Sequence, residues 1–353
     1  MNKNSVRSSF SKHLLTWFAK EKRVLSFRKT KEPYLVWVSE IILQQTQMET
    51  GIKFYEKFVK AFPNVGSLAK ASEKEVYSLW KGLGYYNRAK NLHKTAKIVS
   101  KNKGVFPKKY RELIKLPGVG KYTASAIASI CYNENKYVVD ANVYRVLSRV
   151  FGIKKNISKP KTYTEFEKLS SSLAINVEKT GDYNEAIMDF GGSVCLPKKP
   201  NCPSCIFKDM CVAYKKSLVE VLPIKTQTKK IKKRLFNYFV FENKNYFLLN
   251  KRKEKDIWKN LFEFYLIEGE YSKKTIETIY NKINKKLPKP IKTKSIAILS
   301  HQKIDVVFYS FFIVKKDTLI MVNNKLKMKM IKKSKVKNFG FPKVIDNYLN
   351  YHS

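Results

Sequence analysis

Residues 113–150 contain a short glycine turn between helical stretches, and they constrain the fold more than any other part of the chain. Pro117 ends the first helical stretch, because proline lacks a backbone N–H and restricts the residue before it. Gly118 and Gly120 then allow a tight turn and a close approach of the backbone to a ligand. Backbone N–H groups at the start of the next helix can bind an anion. The segment therefore predicts an anion-binding helix–hairpin–helix, and an ordinary corner between two helices is the alternative.

The chain carries a large excess of positive charge. Its 71 lysine and arginine residues stand against 28 aspartate and glutamate residues, which gives a formal net charge of +43. A charge of this size favours a polyanionic partner, most simply nucleic acid. Lysine is abundant along the whole sequence, so a solvated surface without a target explains part of the charge equally well. At the hairpin, the charge favours a DNA phosphate as the anion.

The length of 353 residues favours two domains, and the sequence patterns divide in the same way. Apolar residues recur at helical spacing through residues 1–215, which predicts an all-α domain. The lysine-rich segment 216–233 is typical of a basic linker. Residues 234–353 contain β-branched and aromatic runs and one amphipathic helix at 273–286, which predicts an α+β domain. The predicted strands are 235–241, 246–250, 262–267, 296–299, 306–314 and 319–322.

The amino-terminal residues MNKNSVRSSFSKHLL lack the long apolar core of a secretory signal peptide. The sequence also contains no apolar run of about 18 residues, the length that a membrane-spanning helix needs. We therefore expect a cytoplasmic protein with no membrane partner. Nothing in the sequence demands an assembly larger than a monomer.

Four of the five cysteines lie close together, at Cys195, Cys202, Cys205 and Cys211. In a reducing compartment this grouping favours a metal centre over disulfides, and four thiolates suit one soft metal centre. Zinc is one alternative, although zinc sites usually have two short-spaced pairs and this segment has one. The spacing resembles the loop that holds a 4Fe–4S cluster in endonuclease III and in the MutY adenine glycosylases. That resemblance implies one structural cluster, with Lys198 in its first loop contacting DNA phosphate.

Glu40 lies in an apolar helical stretch, PYLVWVSEIILQQTQ at residues 33–47. Burial raises the pKa of a carboxyl, which is what a general acid working near neutral pH needs. A solvated glutamate on an amphipathic helix is the alternative. The stretch resembles the MutY signature around its catalytic glutamate, which endonuclease III-type enzymes lack. The resemblance implies that Gln44 and Gln45 reach into the duplex at the gap left by a flipped base.

A second carboxylate, Asp140, lies in VVDANVYRV, which is similar to the MutY motif around its catalytic aspartate. Asp140 could also be an ordinary helix N-cap. The resemblance implies that it stabilises the sugar cation while the glycosidic bond breaks, and that Asn142 holds the carboxylate or a water. Tyr122 stands at the hairpin position where bifunctional glycosylase/lyases carry a nucleophilic lysine. This difference implies base removal without strong lyase activity.

Further matches to the same family concern the base pocket. Tyr85, in KGLGYYNRA, looks like the tyrosine that intercalates between bases. Leu25 and Arg28 look like pocket residues, and Phe27 stands where the family usually has tryptophan. Glu185 resembles the glutamate that reads the adenine edge. The alternatives are a packed loop with buried tyrosines for Tyr85, ordinary packing for Leu25 and Phe27, and a solvated acid for Glu185.

The carboxy-terminal part resembles the lesion-reading domain of the MutY family, which is related to Nudix hydrolases. The stretch SIAILSHQKID contains Ser300 and His301 where the family's Phe-Ser-His loop recognises 8-oxoguanine, with leucine in place of the phenylalanine. A plain turn between strands is the alternative. The acidic Nudix box is absent from the sequence, so we do not expect nucleotide hydrolysis by this domain.

The matches extend over nearly the whole chain and identify it as a member of the MutY-type adenine DNA glycosylases. They imply a helix–hairpin–helix glycosylase domain with a 4Fe–4S loop, followed by a Nudix-like α+β domain. The implied activity belongs to base excision repair: hydrolysis of the N-glycosidic bond of adenine mispaired with 8-oxoguanine or guanine in double-stranded DNA, leaving an abasic site. An endonuclease III-like pyrimidine glycosylase/lyase and a non-catalytic iron–sulfur protein that binds DNA are the alternatives.

Overall fold

A computed structural model describes residues 3–174, 177–226, 231–254, 256–270, 273–283, 287–299 and 301–352. The chain forms two compact units. The first unit consists of Met1–Lys70 and Lys90–Gln227, and the second of Ala71–Ala89 and Thr228–Ser353. The second unit therefore contains a short segment from the amino-terminal half of the sequence as well as the carboxy-terminal part.

The amino-terminal two thirds of the described chain is helical, as predicted. The helices are α1 (Lys3–Glu21), α2 (Pro33–Leu43), α3 (Met48–Ala61), α4 (Val65–Lys70), α5 (Glu73–Trp80), α6 (Asn87–Lys101), α7 (Tyr110–Leu113), α8 (Lys121–Tyr132), α9 (Ala141–Phe151), α10 (Pro160–Leu173), α11 (Thr180–Ser193) and α12 (Val212–Lys215). A 3₁₀ turn at Ser26–Arg28 precedes α2. Helix α5 and the start of α6 belong to the second unit.

Helices α2, α8, α9 and α11 form the framework of the first unit, and their sequences explain why. Helix α2 begins with Pro33 in its first turn, where a missing N–H costs nothing, and the side chain of Glu32 accepts a hydrogen bond from the Leu35 N–H. Small side chains let α8 approach its neighbours closely, and its residues from Thr123 to Ile130 are all buried. Helix α11 contacts α1, α8 and α9, and α2 contacts α3 and α8. The buried side chains of the unit therefore come from helices distant in sequence.

In the described part of the second unit, seven strands form a mixed sheet. The strands are β1 (Lys232–Glu242), β2 (Tyr246–Lys251), β3 (Phe262–Glu263), β4 (Tyr265–Glu268), β5 (Ile291–Ile298), β6 (Gln302–Phe312) and β7 (Lys329–Lys332). The order is β3-β2-β1-β6-β5, with β4 paired to β1 and β7 to β2. Strand β1 runs parallel to β6, and the other pairs are antiparallel.

Apolar side chains cover both faces of this sheet. On β1, Phe236 and Tyr238 belong to one buried cluster, and Phe239 and Phe241 belong to another. The first cluster includes residues of α15 (Lys343–His352), and the second includes residues of α13 (Lys273–Ile283) and α14 (Lys316–Leu326). Burial on both faces explains why β1 has a nearly continuous apolar sequence and no alternation. The prediction of an all-α part followed by an α+β part is confirmed.

One predicted strand is wrong. Residues 319–322 lie inside helix α14, where Leu319, Val322 and Leu326 are buried on one side. A run of four apolar residues is too short to show a helical or a strand period. The sequence of such a run therefore fits a buried strand and a buried helix segment equally well.

Part of the predicted basic segment 216–233 is packed on the first unit. Leu222 is buried in a small cluster with Cys211 and Ala213, and the Ile157 N–H donates to the Ile224 carbonyl at 2.9 Å. Within the described ranges, no helix has the length and apolar character that crossing a bilayer requires.

Candidate active site

The predicted hairpin lies between α7 and α8. Gly118 has a φ of +79°, and a Cβ added there would stand 2.7 Å from the Cβ of Asn91. The Thr95 hydroxyl donates to the Pro117 carbonyl at 2.9 Å and holds the turn. A Cβ added to Gly120 would meet no described atom within 4 Å other than those of its chain neighbours, and Gly120 is the N-cap of α8, which it caps without a side chain. The first turn of α8 thus presents backbone N–H groups beside open space, as an anion site requires.

Asp140 caps helix α9. One carboxylate oxygen accepts from the Val143 N–H at 2.8 Å, and the other accepts from the Asn142 side-chain amide at 2.9 Å. Burial raises the pKa of Asp140, although the hydrogen bonds from Val143 and Asn142 and the charge of Arg145 act in the opposite direction. The cap contact and a position for chemistry are compatible, because the N-terminus of a helix also stabilises a carboxylate.

Glu40 lies near the middle of α2 and is 9% exposed. Burial raises its pKa to about 7; a hydrogen bond from Tyr122 lowers it, Asp140 and Glu185 raise it, and Arg28 lowers it. These four neighbours come from separate parts of the sequence. The structure therefore brings four side chains close to the Glu40 carboxyl, which titrates near neutral pH. They are Tyr122, Asp140, Glu185 and Arg28.

Tyr122 lies in the first turn of α8, with its hydroxyl 3.1 Å from the Sδ of Met188 and within hydrogen-bonding reach of Glu40. Burial, together with the charges of Glu40 and Asp140, places the pKa of Tyr122 well above its usual value. The phenol therefore keeps its proton and acts as a donor. The adjacent Lys121 is exposed, and its Nζ lies 5.3 Å from the centre of the Tyr163 ring.

A second charged group adjoins Glu40. The Arg28 guanidinium lies 3.7 Å from a Glu185 carboxylate oxygen and 3.0 Å from an Asp189 oxygen. The Asp189 side chain is fully buried and also pairs with Arg23. Burial would raise the pKa of Asp189, but the contacts with Arg28 and Arg23 lower it below its usual value. Asp189 thus stays ionised and fixes the arginine that faces Glu185.

Arg23 and Asp189 were missed by sequence reasoning. Asp189 lies one helical turn after Glu185, and Arg23 lies shortly before Arg28, but neither spacing identified the pair as a site. The signal that could have found them is the acid in an otherwise small and apolar helical stretch. Such an acid requires a partner when it is buried.

A groove of about 730 Å³ opens beside this charged group. Leu25, Arg28 and Glu185 are among the residues that line it. Phe27 is buried and its ring meets Tyr55 edge-on at 6.0 Å. The other lining residues are Leu15, Phe18, Ala19, Lys22, Arg23, Val24, Lys29, Lys31, Val177, Glu178, Lys179 and Asp182. The groove combines an apolar wall with several cations, which suits a flat base attached to a phosphate backbone.

The two glutamines that follow α2 adopt different positions. The Gln44 side-chain amide donates to the Thr123 hydroxyl of α8 at 3.2 Å. Gln45 is exposed and has a φ of +53°, an unusual backbone conformation for a residue other than glycine. A strained, exposed side chain at the end of a buried helix is compatible with a contact to a ligand.

Tyr85 and His301 belong to the second unit. Tyr85 is 51% exposed and has a φ of +50°. The Cζ atom of Arg88 lies over the Tyr85 ring, 5.4 Å from the ring centre. His301 is exposed, and its carbonyl accepts from the Lys232 N–H at 3.2 Å. The Leu299 N–H donates to the Gln302 carbonyl at 2.8 Å. Ser300 lies outside the described residues.

The four clustered cysteines form no disulfide, and their loop lies around the side chain of Arg149. The Arg149 guanidinium lies 3.5 Å from Cys195 Sγ and donates to the carbonyls of Leu196 and Pro197. Arg145 links the same loop to the active site, because it donates to the Cys195 carbonyl at 2.7 Å and to the Asn142 side chain at 2.8 Å. Helix α9 therefore carries Asp140 at its start and two arginines that reach the cysteine loop. Lys198 and Lys199 are exposed in that loop.

The chemistry of the donor set, four cysteine thiols, is that of a 4Fe–4S cluster and also that of a four-coordinate zinc ion. Burial raises the pKa of the Cys205 thiol to about 11; the Phe207 N–H opposes this shift, and the charges of Cys195, Cys211 and Cys202 add to it. The Phe207 N–H lies 3.4 Å from Cys205 Sγ. Among the residues that the structure describes, no group of three or more His, Cys, Asp or Glu side chains is gathered for a metal ion.

Two family models and several relatives match parts of this chain. Residues 38–172 match the family model described as HhH-GPD superfamily base excision DNA repair protein, and residues 237–351 match the NUDIX domain model. An adenine DNA glycosylase of Buchnera aphidicola subsp. Acyrthosiphon pisum is 38% identical over 257 residues, which cover 72% of this chain and 73% of the relative. The human adenine DNA glycosylase is 40% identical over 216 residues, or 58% of this chain and 39% of the relative.

Two solved structures are similar to about three fifths of this chain. A thermostable thymine-DNA glycosylase superposes with a TM-score of 0.55 and 30% identity, covering 61% of this chain and 100% of that chain. Endonuclease III in a non-covalent complex with DNA superposes with a TM-score of 0.53 and 22% identity, covering 62% of this chain and 99% of that chain. The second likeness is one of fold.

Proposed function

Because the chain belongs to the adenine DNA glycosylase family, we propose that it excises adenine mispaired with 8-oxoguanine or guanine in double-stranded DNA. The product is an abasic site, the first intermediate of base excision repair. The observation that carries this proposal is the grouping of the Glu40 and Asp140 carboxyl groups with the phenol of Tyr122. Enzymes that hydrolyse glycosidic bonds commonly use two carboxyl groups, whose different surroundings give them different pKa values and different roles.

In this mechanism Glu40 is the general acid. With a pKa of about 7, a large fraction of Glu40 carries a proton at neutral pH. The proton passes to a nitrogen of the adenine imidazole ring as the N-glycosidic bond breaks, and the bonding electron pair stays with the base. The ionised carboxylate then accepts a proton from the water that adds to the sugar. Glu40 is thereby returned to its acid form.

Asp140 stabilises the positive charge that develops on the sugar. Its carboxylate is already oriented by the Val143 N–H and the Asn142 amide, so little reorganisation is needed during the reaction. Asn142, which also accepts from Arg145, keeps this carboxylate or the attacking water in place. The two acids thus divide the work, with proton transfer at Glu40 and charge stabilisation at Asp140.

Tyr122 makes the enzyme monofunctional. A lyase reaction through a Schiff base needs an amine at this position, and a phenol cannot form one. The neighbouring Lys121 does not substitute for it, because its Nζ lies over the Tyr163 ring. Tyr122 acts as a hydrogen-bond donor that tunes Glu40.

Recognition of the base falls to Glu185 and Arg28. The Glu185 carboxylate can accept hydrogen bonds from the adenine amino group, and Arg28 is held beside it by the buried Asp189. Leu25 and Phe27 supply the apolar wall of the pocket. Gln44 and Gln45 stabilise the flipped state by occupying the gap in the duplex, and Tyr85 is the residue that intercalates between bases. Ser300 and His301 read 8-oxoguanine on the opposite strand.

The cofactor proposed for this chain is one 4Fe–4S cluster bound by Cys195, Cys202, Cys205 and Cys211. The cluster would be structural and would hold the cysteine loop in a fixed conformation. Lys198 in that loop contacts one DNA phosphate, and the hairpin at Gly118 and Gly120 binds a second phosphate. No step of base excision passes through the cluster.

The proposal is tested by single-turnover excision on duplexes with adenine opposite 8-oxoguanine, guanine, cytosine or thymine, at a stated salt concentration. We expect excision opposite 8-oxoguanine and guanine. Asp140→Asn and Glu40→Gln should each slow it by about 100-fold or more. Asparagine also caps helices, so the first variant keeps the start of α9 intact. Wild-type excision rates in the Asp140→Asn variant, or efficient borohydride trapping of a covalent adduct, would refute the mechanism.

A further inference from the structure

The loop that carries Tyr85 belongs structurally to the carboxy-terminal sheet. Residues 71–89 group with 228–353, although residues 90–227 lie between them in the sequence. Helix α5 contacts the 3₁₀ segment Lys333–Asn338, which follows strand β7. The same compact unit also contains the turn with His301. The proposed wedge and the proposed lesion reader are therefore parts of one unit.

Two anchors attach this loop, one on each side of Tyr85. Before it, Lys81 Nζ lies 2.8 Å from a carboxylate oxygen of Asp346, which is 7% exposed at the start of α15. After it, the Tyr86 ring packs on Gly340, where an added Cβ would lie 3.3 Å from Tyr86 Cε1. Burial, followed by the charge of Asp346, raises the pKa of Tyr86. An ion pair with one largely buried partner is less screened by salt than an exposed pair.

The loop is also braced internally. The Trp80 indole N–H donates to the Gly84 carbonyl at 2.9 Å. The Arg88 guanidinium lies 5.4 Å from the ring centres of both Trp80 and Tyr85. Between these supports Tyr85 stays half-exposed with a φ of +50°. A side chain held in a strained backbone conformation by contacts on both sides is pre-positioned for its partner.

We propose that the carboxy-terminal domain positions the Tyr85 wedge, and that Lys81, Asp346 and Tyr86 are positioning residues for its insertion into DNA. The inference rests on the proposed function, in which Tyr85 enters the duplex. A fixed loop pays its ordering entropy during folding, so less is lost when the ring is inserted. When the Lys81–Asp346 ion pair is broken, the loop is no longer ordered in advance, and it loses conformational entropy when the ring is inserted. The effect on excision therefore passes through Tyr85.

A double-mutant cycle tests this dependence directly. Lys81→Gln, Tyr85→Ala and the double variant are compared by single-turnover excision of adenine opposite 8-oxoguanine. A 2-aminopurine placed beside the mispair reports unstacking through its fluorescence. We expect Lys81→Gln to slow excision about fivefold and to lower the fluorescence gain, and to add no further loss to Tyr85→Ala. The combined exchange Lys81→Glu with Asp346→Lys should restore part of the rate, because it reverses the pair.

Lys155→Gln is the matched control, since it breaks an exposed ion pair with Glu165 in the first unit, and it should leave both readouts unchanged. Thermal unfolding of every variant separates loss of folding from loss of positioning. Full additivity of Lys81→Gln and Tyr85→Ala, or an unchanged rate in Lys81→Gln, overturns the inference. Failure of the unmodified protein to excise adenine would instead refute the proposed function.

Discussion

Replacing Tyr122 with phenylalanine tests the assignment of Glu40 as the general acid. The Tyr122 hydroxyl donates to the Glu40 carboxylate and thereby favours its charged form. Excision requires the protonated form, so the rate of the unmodified protein should fall as the pH rises through about 7. Without the phenol hydroxyl, Glu40 should hold its proton to higher pH. The substitution keeps the ring and its packing, and it removes one oxygen.

The size of the shift follows from the contacts of the hydroxyl. A hydrogen bond to a charged group is worth about 1.5–3 kcal/mol, and about 1.4 kcal/mol corresponds to one pKa unit. Because the same hydroxyl also lies 3.1 Å from Met188 Sδ, we take the lower end and expect a shift of about one unit. The protonated fraction of Glu40 at pH 8 should then rise from about 0.1 to about 0.5. The rate of Tyr122→Phe should therefore decline at higher pH than that of the unmodified protein.

Single-turnover excision opposite 8-oxoguanine, measured across neutral pH at constant ionic strength, gives the midpoint of this decline. Tyr163→Phe is the matched control, since it removes another phenol hydroxyl, one that lies near Ser125. Its midpoint should equal that of the unmodified protein. A midpoint for Tyr122→Phe at or below the unmodified value would show that Tyr122 does not stabilise ionised Glu40.

Two further substitutions concern stability. The pKa of Glu40 is about 7 in the fold against 4.5 without it, so the folded state binds more protons and loses stability as the pH rises through this window. Glu40→Gln should therefore be about 3 kcal/mol more stable than the unmodified protein at pH 8 and nearly equal to it in stability below pH 4.5. Chemical denaturation measures both free energies of unfolding. Equal stabilities at pH 8 would show that the ionised Glu40 carboxylate does not destabilise the fold. Arg149→Met should lower the free energy of unfolding by about 3 kcal/mol, because it leaves the carbonyls of Leu196 and Leu222 unpaired, and it should also lower the bound iron content. Arg111→Met, at an exposed position, is the control and should change neither quantity.

Local features of the sequence predicted several local structures correctly. Pro117, Gly118 and Gly120 predicted the hairpin, because their backbone preferences act within a few residues. The apolar spacing around Glu40 predicted a helix, and α2 is that helix. By contrast, residues 319–322 were predicted as a strand and lie in α14. Four apolar residues fit either structure, and only packing against the sheet decides between them.

The environment of the candidate site could be predicted only in part. Sequence motifs pointed to Glu40, Asp140 and Tyr122 one at a time, and their roles stay predictions. The pair of Arg28 with Asp189 was missed, since it joins residues about 160 positions apart by a contact at 3.0 Å. A buried acid needs a partner, but the sequence does not say which of 71 basic residues supplies it.

The sequence by itself determined the sites at which the backbone turns, the helical part and the sheet-containing part, and the four cysteines that can bind a cluster. These depend on dihedral preferences, on the alternation of apolar residues and on ligand chemistry, which are properties of short segments. Tertiary structure alone decided that Glu40 titrates near neutral pH, because its pKa depends on burial and on neighbours from α8 and α11. It also decided that the Tyr85 loop joins the carboxy-terminal unit. Contacts such as Lys81 with Asp346 form only when distant segments fold together, and no pattern within either segment encodes them.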